Sequence, residues 1–119
     1  MSESPEKIML DVNKVSQELR IRPEVYVKIV TSFSQTLMEK VQLLEDGLAK
    51  RDWDALRRIL HEIKGTASNL RLKEVTAAEE VMHAEVKGAA DPEKLRLGLV
   101  SLKTEAERLR AVVANLSKG

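Results

Sequence analysis

The chain has 119 residues, of which 43% are hydrophobic and 33% charged; this suits one domain with a single core and excludes a disordered tail or a second domain. A formal net charge of +1 offers no field to draw in nucleic acid or an anionic membrane, and only 3% aromatic residues argue against a ring-lined cofactor pocket. With no cysteine, disulfides, thiolate metal sites and thiol nucleophiles are excluded.

Residues 1–7, Met1-Ser2-Glu3-Ser4-Pro5-Glu6-Lys7, read as a flexible polar leader without the basic-then-apolar pattern of an export signal. No apolar run approaches the roughly 20 residues that a membrane helix needs, so a cytoplasmic protein is expected. Residues 8–117 read as one domain. Ile8, Val12, Val15 and Leu19 stand at helical spacing in a short first helix, which Arg20-Ile21-Arg22-Pro23 breaks. Pro23 suits the first position of a new helix, predicted to run to about Lys50 with Val30, Phe33, Leu37, Val41, Leu44 and Leu48 on one stripe. Asp52 is placed to cap the next helix, whose apolar side holds Leu56, Ile59, Leu60, Ile63, Ala67 and Leu70. A further helix starts near Lys73, carries Val75, Ala78, Met82 and Val86, and ends at Gly88. Asp91-Pro92-Glu93 restarts the chain with a capping acid, a proline and a second acid near the positive helix end. The last helix sets Leu95, Leu99, Leu102, Ala106, Leu109, Val113 and Leu116 on one face. No segment alternates with the period of a half-buried strand. Short links favour antiparallel neighbours, so the expected fold is all-α: an antiparallel up-down-up-down four-helix bundle with a short additional N-terminal helix.

His61 is off the apolar stripe. At 100° per residue it points about 140° from Leu56 and Ile63, with Lys64 at about 80°, Arg57 at about 100°, Ser68 at about 120° and Gly65 at about 180°. His61 should therefore stand on the outer flank, with Lys64 and Gly65 one turn away. Neutral imidazole, with an ordinary pKa near 6.5, can attack phosphorus. Lys64 and Arg57 would offset the negative charge of a phosphorylated ring. Two unit charges at 4 Å interact by about 1 kcal/mol in water and about 4 kcal/mol near a protein surface. A glycine inside a helix costs roughly 0.5–1 kcal/mol relative to alanine, so Gly65 asks for a reason. Omitting that side chain clears room for a phosphoryl group and a docking partner, and Ser68 continues the low surface with a hydroxyl. An exposed histidine beside lysine also fits an ordinary solvated helix face, and helical glycines also serve close packing.

His61-Glu62-Ile63-Lys64-Gly65-Thr66-Ala67-Ser68-Asn69-Leu70 resembles the signature of histidine-containing phosphotransfer (HPt) domains: histidine, any residue, an aliphatic, lysine, glycine, small residues and a hydrophobe. The turn Gly47-Leu48-Ala49-Lys50-Arg51-Asp52-Trp53-Asp54-Ala55-Leu56 is also similar, and the likeness spans roughly residues 10–115. It implies a four-helix bundle whose His61 accepts phosphate, on Nε2, from a receiver-domain aspartate or hybrid sensor kinase and passes it to a response-regulator aspartate. Lys64 matches the residue that steadies the phosphoryl group, and Gly65 the one that lets the receiver approach. Such proteins are carriers without kinase activity or a cofactor of their own; the Mg²⁺ for transfer belongs to the receiver. Docking over the histidine helix and the helix before it would bring in Gln35 and Thr36. The chain departs from the pattern at Arg71, often glycine in the family, and at Thr66, more often serine.

Two other constellations are weaker. Glu80-Val81-Met82-His83 has the Glu-x-x-His spacing of carboxylate-bridged metal pairs, but the position three before His61 is Arg58, so the second motif is missing and no metal is expected. Ser68 and His61 have no orienting acid or oxyanion hole for hydrolysis. Trp53 reads as a packing anchor. The expected protein is a monomeric phosphorelay carrier; the rival reading is a helical interaction module that docks on a kinase or receiver without being phosphorylated. A phosphodonor domain cut from a longer kinase is a further alternative.

Overall fold

Four of the helices begin at a capping aspartate or a proline, and the one that follows Leu72 begins without a side-chain cap. The computed structural model describes residues 10–118, and among these it forms five helices and no strand: α1 (Val12–Leu19), α2 (Pro23–Lys50), α3 (Trp53–Asn69), α4 (Lys73–Lys87) and α5 (Pro92–Lys118). The leader assigned to residues 1–7, and Ile8, lie outside the described residues. Asp11 accepts from the Lys14 N–H and Asp52 from the Ala55 N–H, both at 3.1 Å. Asp91 accepts from the Glu93 N–H at 2.9 Å, and Pro23 and Pro92 open their helices.

The helix ends are less ordinary. After α1, α2 and α3 the chain turns through Arg20, Arg51 and Arg71, each with φ near +60°. Behind Arg71, Leu72 N–H donates to Ala67 C=O at 2.9 Å and Arg71 N–H to Ser68 C=O at 3.1 Å. This pair of bonds closes the last turn and satisfies two carbonyls that the helix leaves free. Arg51 and Arg20 are bonded in the same way. The backbone at Arg71 is therefore the left-handed one that a glycine would adopt without strain, held here by an arginine. Its guanidinium returns something: Nη1 donates to Asn69 C=O at 3.2 Å, and Nε lies 3.4 Å from Glu18 Oε1 on α1.

The apolar stripes meet in one core. α2 packs on α3 and α5, α4 packs on α3 and α5, and α1 lies against α2. Leu37, Leu44, Leu56, Leu60, Ile63, Met82, Leu95, Leu102 and Leu109 are fully buried. The expected stripe of α2 is buried from Val30 to Leu44, with Leu48 half-buried at its end, and Trp53 packs partly buried against the core. Tyr26, off that expected list, is also fully buried; its hydroxyl donates to the Leu70 carbonyl at 2.6 Å, pinning the end of α3 to the start of α2. Burial pushes its phenol up to about 12 against the pull of the Arg71 charge, so it stays a donor at neutral pH. No described helix is long and apolar enough to cross a membrane.

Arg51→Gly should stabilise the fold by about 0.5–1 kcal/mol, because the left-handed turn at φ 55° is strained for any residue with a Cβ. Urea unfolding monitored by helix content measures it; a loss of stability would show that the arginine side chain holds the turn.

Candidate functional site

α3 presents its unburied flank between α2 and α4. Asp52 starts the helix, and burial of Leu56, Ile59, Leu60, Ile63 and Ala67 fixes its rotation about its own axis. His61 is left exposed on the opposite flank. Counting round the helix from His61, Ser68, Arg57 and Lys64 lie on one side at about 20°, 40° and 60°, and Gly65, Arg58 and Glu62 on the other at about 40°, 60° and 100°. Contacts with the neighbouring helices give these sides their identity. Lys64 Nζ lies 3.4 Å from Glu80 Oε2 of α4, and Lys40 Nζ of α2 donates to Glu62 Oε1 at 2.7 Å.

Every predicted cation of the site has a partner. Lys64 pairs with Glu80 across the α3–α4 boundary, and Arg57 forms an ion pair with Asp54 of its own helix. The Ser68 hydroxyl makes only a long bond to the Gly65 carbonyl, at 3.5 Å. The Lys40 ammonium, by hydrogen bond and charge, holds the Glu62 carboxyl below the usual carboxylate range, so a charged pair flanks His61 on the α2 side.

The glycines inside helices are of two kinds. A Cβ on Gly47 would stand 3.2 Å from Leu56 Cδ2, and one on Gly98 3.3 Å from Met82 Cβ, so these two let helices pack closely. A Cβ on Gly65 would meet nothing within 4 Å. Packing within the chain gives Gly65 no reason to be glycine.

The two docking residues expected on α2 part company. Thr36 is half-buried one turn from Lys40, on the side of α2 that faces α3. Gln35 is exposed but turns the other way, lining a groove with Arg110, Val113 and Ala114 of α5. Successive residues of a helix point about 100° apart, so the two neighbours cannot share one surface, and Gln35 is not beside His61. In its place the structure brings up Leu43, 51% exposed, in a groove with Arg58, Ile59 and Glu62, and Ile29, 41% exposed, on the same strip of α2. The signal was in the sequence: Ile29, Thr36 and Leu43 are spaced by seven residues, off the main stripe.

His83 is bound up with Glu79 rather than with Glu80. Its Nδ1 lies 2.8 Å from Glu79 Oε2, and the Glu79 side chain is fully buried, which periodicity did not reveal. Among the described residues no three metal-type side chains converge.

The family model of the Hpt domain matches residues 28–116, from the first third of α2 almost to the end of α5. The chain belongs to the Hpt domain family. An Hpt domain is a histidine phosphotransfer module of two-component systems, a carrier rather than a kinase, and the family works with receiver domains and histidine kinases. A search of the curated proteins and of the solved structures found no match.

Gly65→Ala should raise stability by about 0.5–1 kcal/mol in denaturant unfolding while weakening receiver binding; a variant that is destabilised would reveal a structural need for glycine. Burial pushes the Glu79 carboxyl up, against the pull of His83 and Lys64. As pH rises, the unfolded chain gives up this proton first, so stability falls between the ordinary carboxylate value and the raised folded one. The stability of Glu79→Gln relative to the parent should therefore grow with pH across that window; a difference that does not vary with pH would contradict it.

Proposed function

We propose that this Hpt domain carries its phosphoryl group on His61, taking it from a receiver aspartate or a hybrid sensor kinase and delivering it to a response-regulator aspartate. The observation behind this reading is the exposed His61 flanked by Lys64 and by a glycine that no internal contact requires. A ring nitrogen, Nε2 in the family pattern, attacks phosphorus in line. The N–P bond forms as the P–O bond to aspartate breaks, and the electron pair leaves on the aspartate carboxylate. The proton on the other ring nitrogen stays or passes to solvent, and the reverse sequence delivers the group onward. Lys64 balances the new charge; Arg57 and Ser68, on the same side of His61, supply further positive charge and a hydroxyl.

The receiver docks over α3 and the facing strip of α2. Gly65 is the point of closest approach, with Thr36, Leu43 and Ile29 beside it. Leu43 and Ile29 give this otherwise polar surface the apolar contacts that a protein partner can bury. Magnesium comes with the receiver, and the chain acts as a cytoplasmic monomer without a cofactor of its own or a nucleic-acid or membrane partner.

Incubation with a phosphorylated receiver tests the reading. The label should move to the parent chain and not to His61→Gln, and Lys64→Ala should slow transfer or shorten the life of the phosphohistidine by roughly fivefold or more, the effect of about 1 kcal/mol. A label that still moves to His61→Gln removes the assignment. A label that stays on the receiver leaves a docking module without phosphorylation.

A further inference from the structure

We infer that Glu80 is a positioning residue, which sets how firmly Lys64 holds a phosphoryl group on His61; the inference rests on the phosphoacceptor reading above. Lys64 stands about 60° round α3 from His61, on the side turned to α4, and its ammonium lies 3.4 Å from Glu80 Oε2. The two side chains are 47% and 53% exposed, so both remain free to move. Arg57, the other cation on this side, is held by Asp54 within α3 itself. Of these two cations on the α4 side of His61, Lys64 is thus the one whose partner belongs to another helix. Behind Glu80 sits the buried Glu79, whose carboxyl also feels the Lys64 charge and is engaged by His83.

This arrangement makes Glu80 and a phosphoryl group competitors for one ammonium. When the phosphorus–nitrogen bond forms and the aspartate carboxylate departs, Lys64 turns from Glu80 toward the new dianion or divides itself between them. Either way Glu80 lowers the gain from Lys64. Phospho-His61 is held less firmly than its lysine would otherwise allow, and the equilibrium with a phosphoaspartate lies further toward the aspartate. Glu80 thereby favours delivery over storage.

The test uses the full chain as parent, Glu80→Gln, Glu80→Asp, Lys64→Ala and the Lys64→Ala/Glu80→Gln pair. Each is equilibrated in Mg²⁺ buffer with a receiver domain charged by a small acyl phosphate. The ratio of phospho-His61 to phosphoaspartate and the half-life of isolated phospho-His61 are measured, and helix content confirms folding. Glu80→Gln should raise the ratio about two- to fivefold, the range expected for loss of an exposed ion pair. Glu80→Asp should stay closer to the parent, and the rise should vanish in the Lys64→Ala background. An unchanged ratio overturns the proposal. So does an equal rise with and without Lys64, which would mark a general effect of removing one negative charge. If the charged receiver gives no phosphate to His61 of the parent, the phosphoacceptor reading itself fails and takes this one with it.

Discussion

The burial of one stripe of α3 is the constraint on which the rest of the molecule depends. Leu56, Leu60 and Ile63 are fully buried, and each such side chain is worth about 1.5–3 kcal/mol when removed from water. The ion pairs on the outer flank of the same helix belong to a class worth about 1 kcal/mol or less. No rotation of α3 that hid His61 could compete with the loss of that stripe. Exposure of the imidazole is thus a consequence of where the leucines and isoleucines fall, and Lys64, Gly65 and Ser68 are displayed with it for the same reason.

The neighbouring helices then distinguish the two sides of that flank. On the α2 side, Lys40 binds Glu62 and the surface continues into Leu43 and Ile29, which suits contact with a folded partner. On the α4 side lie Lys64, Glu80 and, beneath them, the Glu79–His83 pair. His61 sits on the line between a contact surface and an electrostatic one. On the proposed reading, a phosphoryl group on His61 meets charge from one side and the docking protein from the other.

Helix starts and the core were legible in the sequence because both follow from local rules. Asp52 and Asp91 cap where expected, Pro23 and Pro92 open helices, and the stripes from Val30 to Leu44 and from Leu56 to Ala67 are buried. The rest depends on tertiary partners and on which face of each helix is covered. Tyr26 looks like an ordinary amphipathic residue until the Leu70 carbonyl is seen above its hydroxyl. Glu79 was hidden because a charged residue at a buried register reads as solvent-facing unless its partner His83 is known to turn inward with it. Gln35 and Thr36 are adjacent in sequence, and only the positions of α3 and α5 decide which of them faces the histidine. A left-handed turn suits the glycine common in the family at the Arg71 position; here the carbonyls of α3 and the carboxylate of Glu18 hold it with an arginine.

The openness of the site fits what a carrier must do. A phosphoryl group enclosed by fully desolvated cations would gain many kcal/mol, and each 1.4 kcal/mol of added hold slows onward transfer about tenfold if the transition state does not share it. On this flank the cations are about half exposed and already engaged by carboxylates, so each contributes on the order of 1 kcal/mol. On the proposed reading, that steadies a phosphorylated ring without trapping it. Exclusion of water and the stronger electrostatic stabilisation of transfer are, on the same reading, left to the docked partner. Gly65 belongs to the same proposed logic: the helix accepts roughly 0.5–1 kcal/mol of instability at a position where a Cβ would meet nothing of its own fold, which leaves a partner's surface as the reason for the glycine.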